Sequence, residues 1–257
     1  MGLEVAAPAF VLHSRAYAES DRIVTFLTAD HGKLTGIAKG AKNSRRRFGG
    51  TLEPFHLVRI VYQERPGTDL TFLVRSELLH LHRSFTSDLD RYAAGSYLLE
   101  LTDKTVFGPE PGGAIFRLLR DALVALEAGV PIDPVLRAFE LHLLAASGYA
   151  PALDLCRGCG VAAVPESTVF LTVDRGGLVC RACVRPGERV RPVAGATAAA
   201  LARLAEAPIT AAVTADPAVL SEAAIVAGQL IDAVIPSRLR SREFLQRTRV
   251  DSAGLVR

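Results

Sequence analysis

Four cysteines constrain this chain more than any other feature. Cys156-Arg157-Gly158-Cys159 and Cys180-Arg181-Ala182-Cys183 form two Cys-x-x-Cys pairs separated by 20 residues. Each pair can wrap its backbone so that both thiolates face one centre, and two such knuckles complete a tetrahedron around a metal ion. Gly158 and Gly160 suit the tight, partly left-handed turn of the first knuckle. Between the pairs, Thr168-Val169-Phe170-Leu171-Thr172 and a Gly176-Gly177 turn read as the hairpin of a zinc ribbon. Two disulfides or redox-active thiols are the competing readings; a reducing compartment opposes the first. Four protein thiolates leave no position for water, so the ion expected at Cys156, Cys159, Cys180 and Cys183 is structural zinc. A deaminase-type centre is not expected, because no His-x-Glu precedes the pairs and no Pro precedes either knuckle.

A chain of 257 residues is long for one core, which makes two or three domains the expectation. From Ala9 to about Leu79, short runs rich in Val, Ile, Phe and Thr alternate with turn residues. The expected strands are Phe10–Arg15, Arg22–Ala29, Lys33–Lys39, Phe55–Gln63 and Leu70–Glu77, separated by turns that include Asp30-His31-Gly32 and Arg65-Pro66-Gly67. Five strands in about 70 residues is the size of an OB-fold barrel, although periodicity does not separate it from an SH3-like one. After Ser87 the period becomes helical, with apolar stripes at Leu89, Ala93, Tyr97 and Leu101, then from Ile115 to Leu126, then from Val135 to Ala146. Further helices fit Thr197–Glu206 and Asp216–Val234, where Asp216 is a natural N-cap and Pro217 the first helical residue. The predicted class is α+β: an OB-fold domain over 1–81, a helical domain over 82–152 and 193–257, and the zinc module inserted at 153–192.

Charge is distributed unevenly along the chain, although its net value is only +3. The 26 Arg against four Lys, with abundant Ala, reflect GC-rich coding and not function. Residues 1–87 carry a balance of +4, 88–155 of −5, 156–192 of +3, 193–235 of −3 and 236–257 of +4. The densest cluster lies between the third and fourth strands: Lys33, Lys39, Lys42, Arg45, Arg46 and Arg47, with no acidic residue among them and Phe48 directly after. Guanidinium groups beside an aromatic ring are what a phosphate backbone with stackable bases requires; an ordinary solvated loop is the plain alternative. A phosphate-cradling P-loop is excluded, because Gly36 and Gly40 stand too close and no Gly-Lys-Ser/Thr ends the run. The tail adds Arg238, Arg240, Arg242, Arg247 and Arg249, which a fraying basic terminus explains equally well.

Other residues carry less. His80-x-His82 has the spacing of two ligands on one strand face but no recognisable third, so packing or a surface role is expected. Asp88 and Asp90 read as a helix start. No nucleophile elbow, His-Glu-x-x-His or dinucleotide fingerprint occurs, and no catalytic residue is expected. Glu4 stands where a secretory signal would be basic, Ala6 where myristoylation needs Ser or Thr, and charges interrupt the Ala-rich stretches. A cytoplasmic protein without membrane contact is the expectation.

Several stretches resemble the RecO family of bacterial recombination mediators. They are Val11 to Arg15, Tyr17-Ala18-Glu19-Ser20-Asp21 and His31 to Leu34, then Ala38 to Lys42 continuing to Arg47-Phe48-Gly49-Gly50, with Leu52, Pro54 and Phe55. Gly148-Tyr149-Ala150-Pro151 running into Cys156, and Leu239 to Leu245, extend the resemblance over nearly the whole chain. Ala18 departs from it, since the family pattern has Gly there. Family members do not all keep the four cysteines, which implies that zinc serves stability.

The resemblance implies a non-enzymatic DNA repair protein that binds single- and double-stranded DNA through its barrel and anneals complementary strands. It also implies partnership with RecR in loading the RecA recombinase onto strands coated by single-stranded-DNA-binding protein (SSB), whose acidic, hydrophobic C-terminal tail it binds. Two other classes fit the residues alone. A zinc-ribbon adaptor of transcription or translation predicts a stable complex and no annealing. A DNA-processing enzyme predicts metal-dependent product.

Overall fold

The computed structural model describes residues 3–64, 67–211 and 215–254, with side chains described as far as Thr248. Five strands open the chain: β1 (Glu4–Tyr17), β2 (Asp21–Thr28), β3 (Lys33–Ala38), β4 (Leu57–Gln63) and β5 (Leu70–His80). They close into a barrel in the order β1-β2-β3-β5-β4. Closure comes from a parallel pairing of β3 with β5, Thr35 opposite Leu70 and Ile37 opposite Phe72. That order is the five-stranded Greek key of the OB-fold and decides what periodicity leaves open. The predicted turn residues Arg65 and Pro66 lie outside the described residues.

β1 is longer than its pattern predicts because it serves two partners. Glu4–Phe10 pairs with β4 and Ala9–Tyr17 with β2. Pro8, a poor strand former without an N–H, falls where β1 has only the β4 partner, so no ladder bond to β2 is lost there. Alternate residues face the barrel core, where Val11, Val24, Phe26, Leu34, Val58, Ile60, Tyr62 and Leu73 pack together. Phe48 and Leu52, from the segment crossing between β3 and β4, plug the same core.

The chain divides into two compact units, Met1–Leu123 with Leu239–Arg257, and Val124–Arg238. The change from strand to helix near residue 82 is therefore not a packing boundary. In the first unit a single turn α1 (Ser84–Ser87) and helix α2 (Leu89–Thr105) follow the barrel. Phe85 stacks on Phe55 of the crossing segment, with centroids 5.0 Å apart. Asp88 caps α2 by accepting the Arg91 N–H at 3.0 Å, as a helix start requires. The Gly108–Gly113 segment is sewn to the barrel by Lys33 N–H to Gly108 O (2.9 Å) and Gly112 N–H to Ala29 O (3.1 Å). Gly32, at φ 56°, allows that approach: a Cβ there would lie 2.2 Å from the Glu110 carbonyl oxygen. Helix α3 (Gly113–Glu127) begins in this unit and brings Phe116 against Phe10.

The second unit holds helix α4 (Ile132–Ala146), a three-stranded antiparallel sheet in the order β7-β6-β8, and helices α5 (Gly195–Glu206) and α6 (Pro217–Val234). The strands are β6 (Thr168–Thr172), β7 (Gly177–Val179) and β8 (Arg191–Ala194). Asp216 caps α6 through the Ala218 N–H at 2.8 Å, with Pro217 at the first helical position as expected. Contrary to the sequence expectation, α6 is long and apolar enough to cross a membrane by length and composition. Yet it carries Glu222, which binds the Thr197 hydroxyl and the Ala194 N–H, and it buries Ala223, Val226, Ala227, Leu230 and Ile231 within its unit.

The last helix, α7 (Arg240–Gly254), belongs to the first unit and packs on α2. Glu100 of α2 accepts the Arg240 and Ser241 N–H groups at 3.2 and 2.8 Å, supplying a carboxylate where the helix dipole favours one. Arg242 lies over the Tyr97 ring at 5.8 Å. The predicted basic tail is thus a docked helix; the side chain of Arg249 lies outside the described ones.

Candidate nucleic-acid interface and metal centre

The six clustered cations separate once folded. Lys33 starts β3, whereas Lys39 follows its end, so the strand holds them apart. The Lys33 ammonium pairs with the Asp103 carboxylate (3.3 Å) and carbonyl (2.6 Å) and sits 5.6 Å from the Phe107 ring centroid. It is withdrawn from the loop. Lys42 ties the crossing segment to the β1–β2 turn, donating to the carbonyls of Ala18 (3.2 Å) and Glu19 (2.8 Å). Gly40 N–H bonds Asp21 at 2.8 Å beside it. Arg47 donates to Lys39 O at 2.6 Å and Ser44 Oγ at 3.3 Å, while its carbonyl accepts the Ser76 N–H at 2.9 Å. Lys39, Arg45 and Arg46 remain exposed, and among the described residues no hydrogen bond or ion pair engages the Arg45 and Arg46 side chains.

Phe48 is corrected by this geometry. Its ring is 2% exposed inside the barrel, with the Arg47 guanidinium 5.0 Å from its centroid, and it has no face left for a base. Apolar burial outweighs the charged neighbours: a Phe ring in the core is worth about 1.5–3 kcal/mol. An exposed aromatic on the barrel strands is Tyr17, 50% accessible, at the end of β1 beside the turn that Lys42 grips. Arg15, also exposed, stands two residues earlier and so on the same strand face. Across the sheet Arg15 leads to Ile23, Ile37 and the half-buried Phe72, a row on the strand face used by OB-folds to bind oligonucleotides. Alternation along β1 marks Arg15 and Tyr17; nothing local marks Phe72, which enters the row only through the β3–β5 closure.

The second centre forms in the other unit. Cys156 and Cys159 precede β6, while Cys180 and Cys183 follow β7, the latter pair around a single 3-10 turn. All four are free thiols whose sulfurs lie within 4.8 Å of one another, which disposes of paired disulfides in this structure. A tetrahedron with metal–sulfur bonds of about 2.3 Å has edges of about 3.8 Å, and Cys159 Sγ stands 3.8 Å from Cys180 Sγ. The first knuckle closes through Gly160 N–H to Cys156 O (2.9 Å), and Gly158 N–H and Cys180 N–H each point at Cys156 Sγ at 3.3 Å. Gly158 is required there, since a Cβ would lie 2.7 Å from Cys183 Sγ. Burial pushes the Cys156 thiol upward, but N–H donors from Cys180, Cys159 and Gly158 win and hold it down at about 6. Cys183 is driven to about 12 by hydrogen bonding with Cys180, Cys159 and Cys156, with burial adding to it. Thiolate is the metal-binding form, and a divalent ion with soft affinity for it would displace the proton that Cys183 holds. The donor set fits such an ion.

Comparison with known proteins speaks to both halves. The family described as Recombination protein O N terminal matches residues 1–82, and that described as Recombination protein O C terminal matches residues 86–243. This chain belongs to the RecO family. Similar proteins bear the name DNA repair protein RecO. The one from Anaeromyxobacter sp. (strain Fw109-5) is 40% identical over 237 residues, covering 91% of this chain and 93% of its own. That of Syntrophus aciditrophicus is 38% identical over 174 residues (68% and 67%), and that of Myxococcus xanthus 40% over 188 residues (72% and 76%). The resemblance carried by the residues around Lys39 to Gly50 thus extends across both RecO segments, and the closed barrel is the RecO N-terminal OB-fold.

Proposed function

We propose that this RecO-family chain is a recombination mediator. It binds single- and double-stranded DNA, anneals complementary strands and, with RecR, helps load the RecA recombinase on SSB-coated strands. The observation that carries the reading is the pair of exposed guanidinium groups, Arg45 and Arg46, on a segment whose neighbours Lys42 and Arg47 are spent on fastening it to the barrel. A cationic edge already held in place loses little freedom when phosphates dock, so more of each contact reaches the affinity. Phosphate contacts release counterions and carry no base information, which suits a protein that must act on any sequence. Base pairing between the approximated strands supplies the driving force for annealing, and no side chain need act as a catalyst.

Zinc is the ion assigned to Cys156, Cys159, Cys180 and Cys183, in a purely structural role: it would replace the missing core of a small module and leave no open coordination position. The barrel at 1–81 is the DNA-binding domain, and the zinc module (153–192) is carried within the second unit, between α4 and α5. The SSB tail, being acidic and apolar, suits a basic rim beside an apolar groove, and such a partnership belongs in the cytoplasm.

The test is annealing of labelled complementary strands without nucleotide. Acceleration on both naked and SSB-coated strands supports the reading. Tight binding with no acceleration overturns it in favour of a zinc-ribbon adaptor.

A further inference from the structure

Two cavities in the second unit share Val173 and Asp174, at the turn between β6 and β7. One, of about 390 Å³, has an apolar floor of Leu144, Leu230 and Val234 and bears Tyr149 and Arg157. The other, of about 550 Å³, is bordered by Arg189 and Arg191. Both volumes fall in the range of ligand pockets. Tyr149 is 59% exposed, which leaves much of an aromatic ring in water at the rim of this cavity. Arg157 is held beside its cavity by Nε donating to the Arg175 carbonyl at 3.0 Å, and Arg191 by Nε donating to Gln229 at 3.1 Å. Arg189 is exposed and, among the described residues, has no side-chain partner. Of the two lining carboxylates, Glu188 is consumed by the Thr172 hydroxyl (2.7 Å), the Arg185 N–H (2.9 Å) and Arg175 (3.7 Å). Among the described lining residues, Asp174 is then the one carboxylate left to oppose the three arginines.

We propose that this groove is a second single-strand site, with a base stacked on Tyr149 and successive phosphates passing Arg157, Arg189 and Arg191. Cations spread over two adjoining cavities match a charged backbone, whereas a peptide terminus needs them at one point. An aromatic platform among such cations is how strands are gripped without reading sequence. The inference rests on the mediator reading and deepens it: one chain holding two strands raises the concentration of each in the presence of the other.

The experiment uses the full zinc-loaded chain. An oligothymidylate carrying 5-iododeoxyuridine is photo-crosslinked to it, and the expected adduct lies on Tyr149. Tyr149→Ala with Arg189→Ala should slow annealing of naked strands about tenfold, the loss of one stacked base and one phosphate contact, while the barrel keeps its hold on a single strand. Tyr149→Phe with Arg189→Lys, which preserve ring and charge, should restore most of the rate and exclude a folding defect. An absent adduct with unchanged annealing overturns the site. So does a defect confined to SSB-coated strands, which would assign the groove to an acidic peptide. Arg45→Ala with Arg46→Ala, measured in parallel, tests the barrel: if that pair abolishes binding while the groove variants are silent, only the second site is lost.

Discussion

At Ala18 the backbone φ is 50°, in the left-handed region that side chains avoid. The resemblance to RecO implies Gly there, and the β1–β2 turn supplies a reason: the position requires positive φ whichever residue fills it. Left-handed strain on Ala exceeds the extra entropy that Gly loses on folding, so Ala18→Gly should stabilise the chain by about 0.5–1 kcal/mol, read as a higher midpoint in urea. Phe48 and its neighbours divide in the same residue-by-residue way. Phe48→Ala leaves a cavity under the crossing segment and should cost about 3–5 kcal/mol of stability. The salt slope of single-strand binding should survive it. Arg45→Ala with Arg46→Ala should do the reverse, removing about 1.4 units of log–log slope, at about 0.7 per phosphate, with the melting temperature almost unmoved. An unchanged slope in the double variant would move the DNA contact away from this loop.

The crossing segment between β3 and β4 behaves as an element although it contains no helix or strand. Its plug residues, its Lys42 and Arg47 bonds and the Phe55 stack hold it at both ends. His56 closes it, accepting the Val11 N–H on its carbonyl at 3.0 Å. Burial depresses the His56 pKa below its ordinary 6.5, against the opposing pull of the Thr51 backbone and Glu53. The unfolded chain therefore binds this proton more readily. The contribution is fully present above the unfolded value and is lost as pH falls through the lower folded one. His56→Gln should flatten thermal stability between neutral and mildly acidic pH; equal acid sensitivity in both proteins would refute the assignment.

The cysteine module is the second such element. One zinc per chain is expected by elemental analysis, and Cys156→Ser or Cys183→Ser should lose both the metal and the local fold, because coordination supplies folding energy. Single-strand binding by the barrel should suffer less. Freely titratable thiols with no metal in the native protein would sink this view.

For the molecule as a whole, the informative quantity is annealing. If separate sites hold two strands, the chain should accelerate pairing without ATP. Deleting the SSB C-terminal tail should abolish annealing of coated strands while leaving that of naked strands nearly intact. Loss of both rates on tail deletion would mean that the tail is not the recruiting contact. The division into two units also bears on truncation: a fragment ending near residue 81 would expose Phe55, Phe10 and Leu27, which Phe85, Phe116 and the Gly108–Gly113 segment cover. It should be less stable than one carrying α2 and α7.

Much of this was readable before folding because it depends on neighbours in the chain. Strand alternation, the helical stripes after Ser87, the Asp88 and Asp216 caps and the cysteine knuckles all rest on spacings of four residues or fewer, the reach of local backbone geometry. Tertiary structure decided what depends on pairs far apart. The parallel β3–β5 closure distinguishes the OB order from other small barrels and brings Phe72 into line with Arg15. Lys33 leaves the basic cluster because Asp103 lies 70 positions further along the chain. Above all, a run of cations followed by a Phe reads as one surface in the sequence, whereas folding turns the ring inward and leaves Arg45 and Arg46 outside. Charge must stay in water and an apolar ring is driven from it, and only the closed barrel provides the inside to which Phe48 can go.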